Sequence, residues 1–291
     1  MARHPRTLLT AWDLRPRKSL GQNFLTAVEV SERIVGAAAV APEDVVLEIG
    51  PGLGALTLPL AARASRIIAV ETDAQVLELL RTELLAARRE NVETVHASIL
   101  DTDIAALAPP DRRLVVLGNL PYNISSPVLV RLVESRHRVD RAVLMLQKEL
   151  VDRIVAAPGG RDYGRLTVML SYCATVRRLF TVAADRFFPR PKVDSAVVEI
   201  RFKTAPDFPA RDESFLWKVV QAAFGQRRKT LKNALSGSAL PLDAAGAEEV
   251  LHAAGIDPQR RAETLTVAEF VALSHAAAER MGRSERPDRG H

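Results

Sequence analysis

Up to about Thr175, short apolar runs alternate with stretches whose apolar positions recur every three to four residues. Thr26–Ala39 is such a stretch, with Val30, Ile34 and Val35 on one face of a predicted helix. Asp44–Ile49 is an apolar run of strand length ending in a glycine turn, and Arg66–Val70 and Val92–His96 predict a second and a third strand. Helices are predicted between and after them, over Leu56–Arg63 and Ala74–Arg88. Leu114–Leu117 and Arg141–Leu146 give a fourth and a fifth strand. Between these two, Pro127–Val133 predicts a helix, with Ser126 as N-cap and Pro127 at the first helical position. Another helix, running to Ala156, follows the fifth strand. Apolar strands spaced by helices predict a doubly wound, mostly parallel α/β sheet covered on both faces.

The pattern then changes. Thr175–Ala183 and Ser195–Phe202 predict strands separated only by an irregular, Pro-rich segment. A hairpin-like antiparallel addition at the sheet edge fits them better than another strand–helix–strand unit. Thr204–Arg211 carries Pro206 and Pro209 and reads as a linker. Beyond it come four helical stretches: Ser214–Phe224, Arg228–Leu235, Ala244–Ala254 and Thr266–Met281. The expected organisation is a basic tail over 1–17, a sheet domain over 18–203, a small all-helical domain over 212–280 and a frayed end over 281–291.

Composition narrows the setting. A chain of 291 residues that is 47% apolar and 26% charged can bury a core in each of two domains. No apolar run reaches the roughly 18 residues of a membrane span, and the N-terminus lacks a signal-peptide core. The single cysteine, Cys173, excludes an internal disulfide framework and a multi-cysteine zinc site. His96 and His137 have no metal-spaced partners, so no metal is expected. These features predict a cytosolic protein without a membrane partner. The net charge is +5, and its distribution matters more than its size. Arg3, Arg6, Arg15, Arg17 and Lys18 face only Asp13 in sequence. A second basic stretch runs from Arg177 to Lys203, and Arg227, Arg228, Lys229 and Lys232 form a third without an acid among them. Such patches suit a polyanion, although solvated faces give the same pattern.

Val45–Ile49 runs into Gly50-Pro51-Gly52-Leu53-Gly54, a strand entering a glycine turn before a helix. Gly50 and Gly52 let the backbone approach a ligand closely. Glu71, at the end of the next strand, is spaced to accept hydrogen bonds from both hydroxyls of a ribose. The turn reads G-x-G-x-G and not the dinucleotide G-x-G-x-x-G, which sets a pyrophosphate on a helix N-terminus. S-adenosylmethionine has no phosphate, and a ribose–adenine pair with a methionine tail fits the observed pattern.

Gly118-Asn119-Leu120-Pro121-Tyr122 follows the fourth strand, at the carboxyl edge of the sheet where α/β proteins bind ligands. The exocyclic N6 of adenine is a poor nucleophile because its lone pair is delocalised into the ring. Two acceptors gripping its hydrogens turn that pair toward an incoming methyl group. The Asn119 amide oxygen and the Leu120 carbonyl supply them, Pro121 fixes the turn, and Tyr122 offers a face for the base.

With these motifs in place, the chain resembles the ribosomal-RNA adenine N6,N6-dimethyltransferases, most closely the bacterial small-subunit (16S) type. The likeness covers about residues 15–275. It rests on Lys18–Leu25, Glu48–Gly54, Asn119–Ser126, Phe187–Val197 and Gln226–Asn233. It implies a Rossmann-like methyltransferase that dimethylates N6 of two adjacent adenosines near the 3′ end of 16S rRNA. S-adenosyl-L-methionine would be the donor, an immature 30S particle the substrate, and the enzyme a monomer. It implies that Asn23 and Leu25 line the cofactor pocket with Gln22 beside them, and that Gly50 packs on the methionine tail. Glu71 would hold the ribose, and Asn119 would serve both pocket and chemistry. Phe187 matches the aromatic that sandwiches the base opposite Tyr122. Ser98 departs from the family, which usually has Asp there to bond the adenine amino group of the cofactor. Arg227, Arg228, Lys229 and Lys232 are expected to touch RNA.

Three rivals stay open. Large-subunit adenine methyltransferases of the macrolide-resistance type share the sheet domain, but the Pro-Lys-Val-Asp-Ser and Gln-Arg-Arg-Lys segments favour the small-subunit branch. A DNA adenine methyltransferase would prefer Pro at Leu120. A mainly non-catalytic 30S assembly factor is disfavoured by an intact Glu71 and Asn119.

Overall fold

The computed structural model describes residues 4–226 and 228–284 and divides into two compact units. The first comprises Met1–Asp152 with Thr175–Thr204, and the second Arg153–Ala174 with Ala205–His291. The second unit therefore takes in a segment that the sequence division leaves inside 18–203.

In the first unit the chain runs α1 (Pro5–Ala11), β1 (Phe24–Leu25), α2 (Val28–Ala37), β2 (Val45–Ile49), α3 (Thr57–Leu60), β3 (Arg66–Glu71), α4 (Ala74–Ala86) and β4 (Val92–His96). It continues through α5 (Ile104–Leu107), β5 (Leu114–Asn119), α6 (Ser125–Glu134) and β6 (Val139–Gln147), and α7 (Lys148–Ile154) follows. After Ala174 come β7 (Ala174–Val182), β8 (Phe187–Phe188) and β9 (Ser195–Phe202). The main sheet has seven strands in the order β4-β3-β2-β5-β6-β9-β7. Strands β4 to β6 are parallel, and β9 pairs antiparallel with β6, Gln147 opposite Ser195. The order reverses at β2, between β3 and β5. That is the switch point where parallel sheets open a crevice at their carboxyl ends.

All five residues of β2 are buried, as a central strand covered on both faces requires. Ile34 and Val35 of α2 lie at 0% exposure against this sheet in one core cluster with Val46, Leu117 and Val143. Each such side chain contributes roughly 1.5–3 kcal/mol through burial. Strand β7, at the edge, has only its two end residues buried. Its exposed Arg177 and Arg178 discourage pairing with a further strand. At the start of α4, Asp73 caps the helix by accepting the Gln75 N–H at 3.1 Å.

Two local expectations are corrected. Helix α6 begins at Ser125 with Ile124 as N-cap, so Ser126 is not the cap and Pro127 is the third helical residue. Proline is tolerated there because first-turn N–H groups have no intrahelical acceptor. The described part of the expected 1–17 tail, residues 4–17, is not simply a tail: α1 buries Leu8 and Leu9 beside Leu53, Val76 and Leu79.

The second unit holds α8 (Arg165–Cys173), α9 (Glu213–Phe224), α10 (Leu231–Ser236), α11 (Ala244–Ala253) and α12 (Val267–Ser284). Phe224 stacks on Phe270 at 5.7 Å, and Tyr172 meets Trp217 edge-on at 5.2 Å. The Tyr172 hydroxyl donates to Glu213 at 3.0 Å. Residues 281–284, expected to fray, continue α12, and the rest of that expected tail lies outside the described residues. Among the described residues no helix is long and apolar enough to cross a membrane.

Candidate active site

A cavity of about 990 Å³ opens at the carboxyl edge of the sheet in the first unit. Every residue assigned from sequence to the cofactor or the target base lines it: Gln22, Asn23, Leu25, Gly50, Gly52, Glu71, Ser98, Asn119, Leu120, Pro121, Tyr122 and Phe187.

The floor is the turn after β2. Gly50 has φ +66°, and a Cβ built there would meet nothing within 4 Å, so the bare backbone faces open space. Gly52, at φ +53°, donates its N–H to Glu71 Oε2 at 3.2 Å. Glu71 Oε1 accepts the N–H groups of Thr72 and Asp73, at 2.9 and 3.0 Å. Burial pushes the Glu71 carboxyl up, while these three backbone donors hold it back. A carboxylate fixed in this way, with acceptor capacity left over, suits a pair of ribose hydroxyls. Glu48, which the sequence reading did not assign, lies on the same cavity at 1% exposure. Its Oε2 has no hydrogen-bond partner among the described residues. Burial pushes its carboxyl up to about 8, with Glu71 adding and Thr57 opposing.

The side wall comes from the segment before β1. Gln22 Nε2 donates to Asp73 Oδ2 at 2.9 Å, and its Oε1 accepts the Arg17 N–H at 2.8 Å. Both ends of its amide are spent on protein partners, so Gln22 staples this wall to the turn carrying Glu71. Asn23 Nδ2 donates to the Gly21 carbonyl at 3.0 Å. His4, Pro5 and Leu8 of the N-terminal segment also line the cavity. The only sequence signal for them was the short Leu8-Leu9 pair.

Next to this wall, Asn119 ends β5 and donates from Nδ2 to the Asn23 carbonyl at 3.0 Å. Its amide nitrogen is thus committed, and its oxygen remains an acceptor for a ligand. The Leu120 N–H donates to the Met145 carbonyl at 3.1 Å, anchoring the turn to β6. The Ser125 hydroxyl donates to the Pro121 carbonyl at 3.0 Å and closes it. Tyr122 is half-buried, and its hydroxyl lies 2.8 Å from Ser195 Oγ. Phe187 is 5% exposed and paired with Leu25 through β1 and β8, so it belongs to the core as well as to the cavity wall.

Ser98 follows β4, and its hydroxyl accepts the Leu100 N–H at 3.3 Å. Asp101 is exposed and does not line the cavity, so it does not take Ser98's place. Ser98→Asp should tighten S-adenosylmethionine binding severalfold, because a charge-assisted bond adds on the order of 1 kcal/mol over a neutral one. Calorimetry showing equal or weaker binding would remove Ser98 from the adenine subsite.

In the second unit, Arg228 and Lys229 are exposed just before α10, whereas Lys232 is ion-paired to Glu248 at 2.6 Å. Arg227 lies outside the described residues. Cys173 is buried, and its thiol donates to the Met169 carbonyl at 3.3 Å. Among the described residues no cluster of His, Cys, Asp or Glu could hold a metal.

A sheet of this order, with a G-x-G-x-G turn after β2 tied to a carboxylate at the end of the neighbouring β3, defines a Rossmann-like methyltransferase. Residues 14–278 match the model of the ribosomal RNA adenine dimethylase family, and the chain belongs to it. A ribosomal RNA small subunit methyltransferase A from Desulforapulum autotrophicum is 49% identical over 94% of this chain and 96% of its own. The protein of the same name from Pelotomaculum thermopropionicum is 42% identical, covering 92% and 94%. Among solved structures, a dimethyladenosine transferase from Plasmodium falciparum aligns with TM-score 0.73 and 26% identity, over 86% of this chain and 95% of that one. The 23S rRNA methyltransferase ErmE aligns with TM-score 0.65 and 27% identity, over 88% and 100%.

Proposed function

We propose that this enzyme transfers methyl groups from S-adenosylmethionine to N6 of two adjacent adenosines near the 3′ end of 16S rRNA, twice each, acting as a cytosolic monomer on 30S particles. The observation that carries this reading is the single cavity joining the Glu71 carboxylate to the Asn119–Tyr122 turn. The small-subunit relatives, 49% and 42% identical over nearly the whole chain, favour the 16S substrate over the 23S one. The exposed Arg228 and Lys229 suit RNA phosphates.

The donor supplies an electrophilic methyl on a sulfonium. Glu71 holds the ribose, the Gly50 turn accepts the methionine tail, and Asn23 and Leu25 close the side wall. The target adenine leaves its stack to enter the cavity, as in other base-modifying enzymes. Asn119 Oδ1 and the Leu120 carbonyl accept the N6 hydrogens and direct its lone pair outward. No strong base is required, because the amine becomes acidic only once methylated. Tyr122 and Phe187 grip opposite faces of the base.

The test is mass spectrometry of digested RNA after reaction with naked 16S rRNA, intact 30S and immature 30S particles. N6,N6-dimethyladenosine at adjacent positions is expected with 30S particles. Modification of 23S rRNA alone, or of no RNA, overturns the reading. The same assay tests the clamp through Phe187→Leu, which keeps apolar volume. Alanine would leave a core cavity costing roughly 3–5 kcal/mol and confuse the result. Stacking on an aromatic is worth roughly 1–3 kcal/mol per base, so transfer should fall about 5- to 150-fold and monomethyladenosine should accumulate. Full activity with only dimethyl product would make Phe187 core packing.

A further inference from the structure

Tyr122 and Ser195 lie 73 positions apart in sequence, yet their hydroxyls meet at 2.8 Å. Ser195 is fully buried at the first position of β9 and does not line the cavity. It is fixed from several sides. Its backbone pairs with Gln147 at the end of β6. The neighbouring Asp194 carbonyl accepts the Lys148 N–H at 3.0 Å, and the Asp194 carboxylate accepts the Ala184 N–H at 3.0 Å. The Tyr122 end is less constrained, because that side chain is half-buried in a turn at the cavity. The hydroxyl pair therefore ties a movable ring to a rigid strand. The segment that ends in Ser195 also carries Phe187, held by its pairing with Leu25. Both aromatic walls of the base site thus refer to one stretch of chain, residues 187–195.

We propose that Ser195 is a positioning residue that sets the plane of the Tyr122 ring and, through it, the gap between Tyr122 and Phe187 in which the base is held. The proposal rests on the adenine N6 methylation argued above. Burial pushes the Tyr122 phenol up, with the Ser195 bond opposing, so the ring presents a neutral hydroxyl to its partner at working pH. A ring fixed at its hydroxyl cannot tilt when the base grows by one methyl. The second transfer must seat this bulkier monomethylated base with its one remaining N6 hydrogen aimed at an acceptor. A ring freed from Ser195 can tilt away, and the intermediate then leaves before it is regripped. No group of Ser195 reaches the reacting atoms, so its effect travels only through Tyr122.

The test compares wild type, Ser195→Ala, Ser195→Thr, Tyr122→Phe and the Ser195→Ala/Tyr122→Phe double variant. Each full-length protein is assayed for the ratio of mono- to dimethyladenosine and for S-adenosylmethionine affinity by calorimetry. Ser195→Ala should slow the second transfer about two- to tenfold, the range for one neutral hydrogen bond, and raise the monomethyl fraction. Cofactor affinity should not change. Tyr122→Phe should reproduce the effect, the double variant should be no worse than either single one, and Ser195→Thr should recover most of the wild-type ratio. Wild-type product ratios in both single variants, or additive losses in the double, overturn the proposal. Tyr122→Phe removes the same bond from its half-buried end, so it decides the matter if Ser195→Ala fails to fold. Absence of N6 methylation by wild type on any RNA would instead overturn the functional reading on which this one rests.

Discussion

Asn119→Ala should lower methyl transfer by about 10²-fold or more, the usual cost of deleting one preorganised hydrogen-bonding group at a reacting centre. The Asn119 nitrogen is held by the Asn23 carbonyl at 3.0 Å, which leaves the amide oxygen as the proposed acceptor for an N6 hydrogen. Alanine removes both the acceptor and the tie to the segment before β1. Cofactor affinity should therefore also weaken, but by less than the loss in rate. Asn119→Asp offers an informative control. Its carboxylate keeps the shape but cannot donate to Asn23, so two acceptors would face each other and the side chain would swing. Activity should stay low although an oxygen acceptor is present. Single-turnover kinetics at saturating cofactor, on the particle that wild type modifies, separate the two effects. Near-normal transfer by Asn119→Ala would take this residue out of the chemistry.

Much of this arrangement was legible in sequence, for a physical reason. Central parallel strands buried on both faces carry nearly continuous apolar runs, so Val45–Ile49 and Leu114–Leu117 stand out from their flanks and fall within the observed β2 and β5. Residues at strand ends and in glycine turns have backbone duties that few types can perform, and for this reason Gly50, Glu71 and Asn119 could be singled out. Helix α8 was invisible because Val168, Met169, Leu170, Tyr172 and Cys173 are all buried, leaving little polar stripe to reveal a period. The two-residue pairing of Phe24 and Leu25 with Phe188 and Phe187 was also missed. Such a short pairing has no alternation to detect, and its partners are far apart in the chain. Glu48 and Ser195 were missed differently. A carboxyl in a buried strand and a serine at a strand start gain their roles only from what the fold sets beside them.

Glu48→Gln should make the folded first unit less sensitive to alkaline pH. Glu48 and Glu71 line the same cavity, and their surroundings push them toward different states. Glu71 is braced by three backbone N–H groups, whereas Glu48 Oε2 has no partner among the described residues and its carboxyl is pushed up to about 8. Glu48 therefore keeps its proton at neutral pH while Glu71 has the donors to carry charge. The sign follows from linkage. Below about pH 4.5, the ordinary value, Glu48 is protonated in both folded and unfolded chains and costs nothing. Above it the unfolded chain gives up this proton and the folded one does not, so folding stability falls as pH rises. The fall levels off near pH 8, where the folded carboxyl ionises as well, after a loss on the order of a few kcal/mol. Burial pushes Glu71 up too, so wild type carries a further decline of the same sign that the variant retains. Glutamine has nearly the shape of the protonated carboxyl and no proton to lose. Hydrogen exchange of the β2 and β3 amides, read at pH 5 and pH 8.5 after correction for intrinsic rates, reports the opening free energy of this unit alone. Wild type should lose protection between the two conditions, and Glu48→Gln should lose less by a few kcal/mol. Equal losses in the two proteins would mean that Glu48 is already ionised in the folded state, and that the cavity holds two charged carboxylates.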